Sequence, residues 1–119
     1  MKVILLVENS PYVSKYAKKG IEDILNVNAE LVTEGSEAIE MINNGLKYAV
    51  LITDLSLKEG GYNILKFSKE KNPDIPTIVY SAYDLSKYPN SFRYCDKYVG
   101  KGRTESAETL IDAIKTYLK

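Results

Sequence analysis

Five residues of this chain have side chains suited to joint chemistry, and each falls where an apolar run stops. Glu8 and Asn9 follow "VILLV" at 3–7, and Asp54 follows Val50, Leu51, Ile52 and Thr53. Ser81 closes "PTIVYS" and Lys101 follows "KYVG". Each has a plain reading of its own. Asp begins turns and caps helices, Glu8 and Asn9 can precede a helix cap, Ser81 can bond its own backbone, and Lys101 can be a solvated lysine. Taken together they put acids, an amide, a hydroxyl and an ammonium at the ends of four apolar runs. The chain has no histidine and one cysteine, Cys95, which removes histidine triads, zinc clusters and phosphohistidine carriage within this chain. Carboxylate, hydroxyl, lysine and oxygen-ligated metal chemistry remain.

These runs must be held side by side for any of this to matter. The continuous run at 3–7 reads as a central parallel strand covered on both faces. Ser10 and Pro11 read as the cap and first residue of a helix carrying Val13, Ala17, Ile21, Ile24 and Leu25 at helical spacing. Ala29 to Thr33 is a second strand. Ser36 is positioned to cap a second helix with Ala38, Ile39 and Ile42, ended by Gly45. "YAVLIT" is the third strand, "DLSLKEGG" a loop, and Tyr62 to Glu70 the third helix. "PTIVYSA" is the fourth strand, and "CDKYVGKG" contains a short fifth. Thr104 begins a last helix with Ala107, Leu110, Ile111, Ile114 and Leu118 on one face. Alternating strands and helices predict a doubly wound α/β fold, a parallel sheet with helices on both faces. Its ligands bind beyond the carboxyl ends of the strands.

The chain resembles the receiver domains of two-component response regulators over essentially its whole length. "VILLVEN" resembles the first strand with its acidic pair, and "VLITDLSLKEGGYNIL" the phosphoacceptor strand, loop and third helix. "IPTIVYSAYD" resembles the strand with the switch hydroxyl, and "KYVGK" the segment with a switch aromatic three residues before an essential lysine. The resemblance implies one domain over 1–119, with five strands in the flavodoxin-like order 2-1-3-4-5. It implies Asp54 as phosphoryl acceptor and Mg²⁺ held by Glu8, Asn9, Asp54 and the Ser56 carbonyl. Lys101 would pair with phosphate oxygens, Ser81 would donate to the phosphoryl group, and Tyr98 would follow Ser81 as the switch aromatic. The implied partners are a sensor histidine kinase or phosphotransfer protein, and a downstream protein reached by contact. The implied activity is self-catalysed aspartyl phosphorylation and dephosphorylation, not turnover of a separate substrate.

Three departures stand out. Asn9 replaces the second acid, which predicts weaker Mg²⁺ binding. Gly102 replaces the usual proline after the lysine, so the Lys101–Gly102 bond is expected to be trans. "DLSKYPNSFRY" carries Pro89 and Asn90, so Leu85 to Tyr94 is expected to be the least regular helical unit, with Tyr83, Tyr88 and Tyr94 as a contact surface. The first two departures favour a second reading, a degenerate receiver that serves as an interaction module without phosphorylation. A flavin carrier or small hydrolase on this fold is disfavoured, because "ENSPYVS" is not glycine-rich.

Composition sets the remaining bounds. The 119 residues are 45% apolar and 27% charged, ordinary for one domain with one core. Sixteen basic residues balance sixteen acidic ones, so no global field recruits nucleic acid. No run approaches a membrane span, and the lone cysteine fits a reducing cytoplasm.

Overall fold

The structure, a computed structural model, describes residues 2–57, 60–82, 93–101 and 106–118, except the side chains of Tyr12, Val13 and Ser106. β1 (Val3–Val7) shows why the fold has two covered faces. Ile4 and Leu6 enter one apolar cluster, while Leu5 and Val7 enter another. The first cluster packs against α1 (Pro11–Leu25) and α4 (Ser106–Tyr117), and the second against α2 (Gly35–Asn43) and α3 (Gly61–Lys71). A strand buried on both faces has no polar side to alternate with, hence the unbroken run in the sequence. β2 (Asn28–Val32), β3 (Val50–Thr53), β4 (Thr77–Ser81) and β5 (Lys97–Gly100) complete a parallel five-stranded sheet in the order β2-β1-β3-β4-β5.

Register puts the ends of β1 and β3 at one level, and β4 and β5 run two residues further in the same direction. Val7 is opposite Thr53, Thr53 is opposite Val79, and Ser81 is opposite Gly100. Glu8, Asp54, Ser81 and Lys101 therefore leave the sheet along one edge. The ladder continues one step past the strands. Asp54 N donates to Val7 O at 3.3 Å, and Lys101 N to Ser81 O at 2.9 Å.

Several helix ends differ from expectation. α2 starts at Gly35 behind an extended Glu34 N-cap, so Ser36 lies inside the first turn and does not cap it. Ser10 and Pro11 take the expected positions, but the Ser10 side chain makes no cap bond. Instead Ser10 N donates to Glu8 Oε1 at 3.0 Å. Gly45 ends α2 as expected. It has φ +91°, its N–H bonds Ile42 O, and Leu46 N–H bonds Met41 O, the paired reverse bonds of a glycine-terminated helix. Ile24 was expected in the buried stripe of α1 and is instead 67% exposed. Its neighbours Ile21 and Leu25 take the core-facing positions of the helix instead. Ala107 is likewise exposed on α4, whereas Leu110 and Ile114 are buried.

The expected irregular segment from Leu85 falls largely at 83–92, outside the described residues, as do Tyr83, Tyr88, Thr104 and the Lys101–Gly102 bond. Of that segment, Arg93 and Tyr94 form a short 3₁₀ turn. Tyr94 is half-buried with its ring 5.7 Å from that of Tyr62. Its ring packs against the α3 side of the core, and the rest of the expected contact surface lies outside the described residues.

β5 is a four-residue edge strand, yet it carries Lys101 out of the sheet. Its base is pinned by Asp96, whose Oδ2 accepts from Thr77 N at 2.8 Å and from Lys69 Nζ at 2.6 Å. Burial pushes the Asp96 carboxyl up, but the bonds from Lys69 and Thr77 outweigh it and hold the group below its ordinary value. Asp96→Ala should free this end of β5. Amide hydrogen exchange at Val99 should accelerate more than at Ile52 in the sheet centre, and equal change at both would refute a local clamp.

Candidate active site

The four strand-end residues converge as the sequence implies. Lys101 Nζ donates to Asp54 Oδ2 at 2.5 Å and also pairs with Glu8 Oε2. The side chains are 10%, 7% and 1% exposed for Lys101, Asp54 and Glu8. This is a buried cluster of two carboxylates and one ammonium. The Lys101 ammonium also lies over the Tyr80 ring, 5.4 Å from its centroid, an added attraction for the cation.

Asp54 is held on both oxygens. Oδ1 accepts from Ser56 N at 3.0 Å and Ser56 Oγ at 3.1 Å, while Oδ2 faces Lys101. Ser81, fully buried at the end of β4, also hydrogen-bonds the carboxylate. Burial raises the Asp54 pKa, but the bonds from Lys101, Ser56 and Ser81, with the Lys101 charge, win and lower it from the ordinary 3.8. Asp54 is thus an ionised, oriented carboxylate at neutral pH, as a carboxylate nucleophile requires.

Not every expected residue joins the cluster. Asn9 is exposed beside the buried Glu8. Among the described residues no three His, Cys, Asp or Glu side chains gather as a metal site. Ser56 sits next to Asp54 through its N–H and hydroxyl. Tyr98 is half-buried against the α3-side cluster, and its hydroxyl donates to Ser81 O at 3.2 Å. It therefore packs on the sheet and also touches the residue whose movement it was expected to follow.

The sequence reading missed the part played by Gly61. Gly60 has φ +83°, and Gly61 opens α3 directly against the backbone of Asp54 and Leu55. A Cβ at Gly61 would lie 2.1 Å from Asp54 O and 2.8 Å from Leu55 Cα. The adjacent "GG" was the available signal, since paired glycines mark turns and close backbone approaches. Gly61→Ala should displace Asp54 and cost about 1–3 kcal/mol through overpacking. Urea melts should show a loss in that range, and an unchanged midpoint would contradict the close approach.

Lys101 is the only cation contacting these two acids among the described residues. Lys101→Ala leaves two buried carboxylates unpaired and should destabilise by about 3–5 kcal/mol near neutral pH. The sign with pH follows from the lowered Asp54 pKa. Its stabilising contribution is complete above the ordinary value of 3.8 and fades as pH falls through the lowered one. The gap between wild type and variant should therefore narrow as the pH falls below the ordinary 3.8. Denaturant melts at neutral pH and below that value measure it, and a constant gap would mean the loss is not electrostatic.

No family model and no curated protein matches the chain. Solved structures do match. TrrA from Thermotoga maritima, a response regulator in complex with Mg²⁺-BeF, is 23% identical with TM-score 0.86, covering 98% of this chain and 99% of that one. A CheY-like receiver domain protein from Methanospirillum hungatei JF-1 is 21% identical with TM-score 0.86, covering 99% and 94%. The phosphorylated cyanobacterial phytochrome response regulator RcpA is 19% identical with TM-score 0.84, covering 99% and 94%. The fold is that of a receiver domain. At these identities the likeness establishes the fold alone, in the expected strand order. Among the described residues no helix is long and apolar enough to cross a membrane.

Proposed function

We propose that this chain is a phosphoacceptor receiver domain of a two-component system, phosphorylated on Asp54. The observation that carries the reading is the buried contact of Lys101 with both Asp54 and Glu8, beside a Ser81 hydroxyl bonded to Asp54. An ammonium already placed at Asp54 Oδ2 meets the charge of an incoming phosphoryl group. An Asp54 oxygen attacks phosphorus, an O–P bond forms, and the donor's bond to phosphorus breaks with its electron pair leaving on the donor. The donor is a histidine kinase, a phosphotransfer protein or a small acyl phosphate. Water later cleaves the acyl phosphate and regenerates the carboxylate. Ser81 follows the phosphoryl group, and Tyr98, bonded to the Ser81 carbonyl, passes the change to the surface near β5. The output is contact with a downstream protein in the cytoplasm.

The donor set fits a hard cation. Glu8 and Asp54 are buried oxygen donors beyond adjacent strands, the ligand type Mg²⁺ takes. Glu8, Asp54 and the Ser56 carbonyl, with Asn9 contributing a neutral oxygen, would hold Mg²⁺, which supplies charge neutralisation between the carboxylate and the phosphoryl group. TrrA with Mg²⁺-BeF and phosphorylated RcpA share this fold, which supports the reading by analogy. The second reading, a receiver that is not phosphorylated, is favoured by one feature. Glu8 already bonds Ser10 N and Lys101, and Asn9 offers no second charge.

One experiment separates the two. Intact-mass spectrometry after acetyl phosphate and Mg²⁺ should show a single added phosphate that Asp54→Asn abolishes. Asn9→Asp restores a charge near the metal and should tighten Mg²⁺ about tenfold, ~1.4 kcal/mol, while speeding phosphorylation. Tighter metal with no phosphate on either form would establish the interaction module instead.

A further inference from the structure

β2 is the terminal strand of the sheet on the side away from β5. Asn28 N bonds Lys2 O, and Val32 O accepts from Glu8 N, so these residues point towards β1. Backbone groups alternate sides along a strand, which aims those of Ala29 and Leu31 at the outer edge. Such an edge is a template for another strand.

At Ala29 the edge is covered by side chains of α1. Ala29 N donates to Glu22 Oε2 at 3.0 Å, and Lys18 Nζ donates to Ala29 O at 2.6 Å. Lys18 and Glu22 also pair with each other at 3.0 Å, which closes the ring. Backbone bonding by Ala29 and the pairing with Lys18 hold Glu22 below the ordinary carboxyl value. Both side chains also line an open groove of about 420 Å³ between α1 and Leu31.

A lysine and glutamate four residues apart on a helix need no special explanation, being worth a few tenths of a kcal/mol. The same helix supplies the comparison. Lys19 and Asp23 pair at the same 3.0 Å but are 74% and 61% exposed, whereas Lys18 and Glu22 are 39% and 32% exposed and reach the strand. We infer that the Lys18–Glu22 pair is a latch that occupies the outward hydrogen-bonding groups of Ala29 and prevents β2 of one molecule from pairing with β2 of a second copy. Without it, two edges related by a two-fold axis can join into one continuous sheet.

The test is self-association of K18A/E22A against K19A/D23A, which removes equal charge from the same helix. Sedimentation over a concentration series should show K18A/E22A gaining an association step absent from wild type, with its mass rising towards twice the wild-type value. At dilutions below that step, Ala29 amide exchange should speed up about tenfold. K19A/D23A should match wild type in both readouts. The inference is overturned if K18A/E22A keeps the wild-type mass, or if the control associates equally. If the double variant loses its helical circular dichroism, K18A alone decides, since it uncovers Ala29 O while leaving Glu22 on Ala29 N–H. New association supports the latch, and wild-type mass refutes it.

Discussion

Glu8 and Asp54 leave adjacent strands at the same level and are both nearly sealed from solvent, with one ammonium between them. Two carboxylates in that position repel each other and lose hydration, and Lys101 is the group that makes the arrangement tolerable. It leaves one surplus negative charge in a buried place. A structural ion pair would be balanced. Under the proposed function a cation arriving with the phosphoryl group would meet that surplus, so the features that cost stability are the ones the proposed chemistry would use.

Much of the remaining structure keeps that ammonium in place. Lys101 comes from the shortest kind of edge strand, so its position depends on the Asp96 clamp at the base of β5 and the Lys101 N to Ser81 O bond at the top. On the other side, α3 closes against the Asp54 backbone because Gly61 has no side chain. Thr53 adds a hydroxyl bond to Asp54 O from inside the sheet. Asp54 is thus fixed from its backbone outward, and Ser56 and Ser81 orient its oxygens. The Tyr98 hydroxyl on the Ser81 carbonyl then ties this site to the half-buried surface of β5.

The two edges of the sheet are treated differently. β5 leads into Lys101 at its top and is pinned at its base, while β2 is covered by a salt-bridged pair from α1. Both devices use side chains to satisfy backbone groups that the sheet itself leaves over, Thr77 N in one case and Ala29 N in the other.

The doubly wound architecture and the identity of Glu8, Asp54, Ser81 and Lys101 as strand-end residues could be read from the chain, because burial on both faces leaves an unbroken apolar run and the first polar residue after it marks the strand end. Gly45 was legible for a similar local reason: a left-handed residue after a helix favours glycine. Other features depend on residues distant in sequence. Ser36 has good capping chemistry but lies inside a helix whose start is set by the buried Gly35. Ile24 fits the apolar spacing yet faces solvent, because periodicity does not say which of two adjacent apolar residues, Ile24 or Leu25, the packing of α1 turns inward. That Lys101 reaches both acids depends on the register of four strands, and that Lys18 and Glu22 close on Ala29 depends on how α1 packs beside β2. Sequence determined which groups were available and at which ends of which elements they stood. Only the tertiary structure decided their partners, because hydrogen bonds and ion pairs act over about 3 Å and the distances between elements arise from packing the whole core.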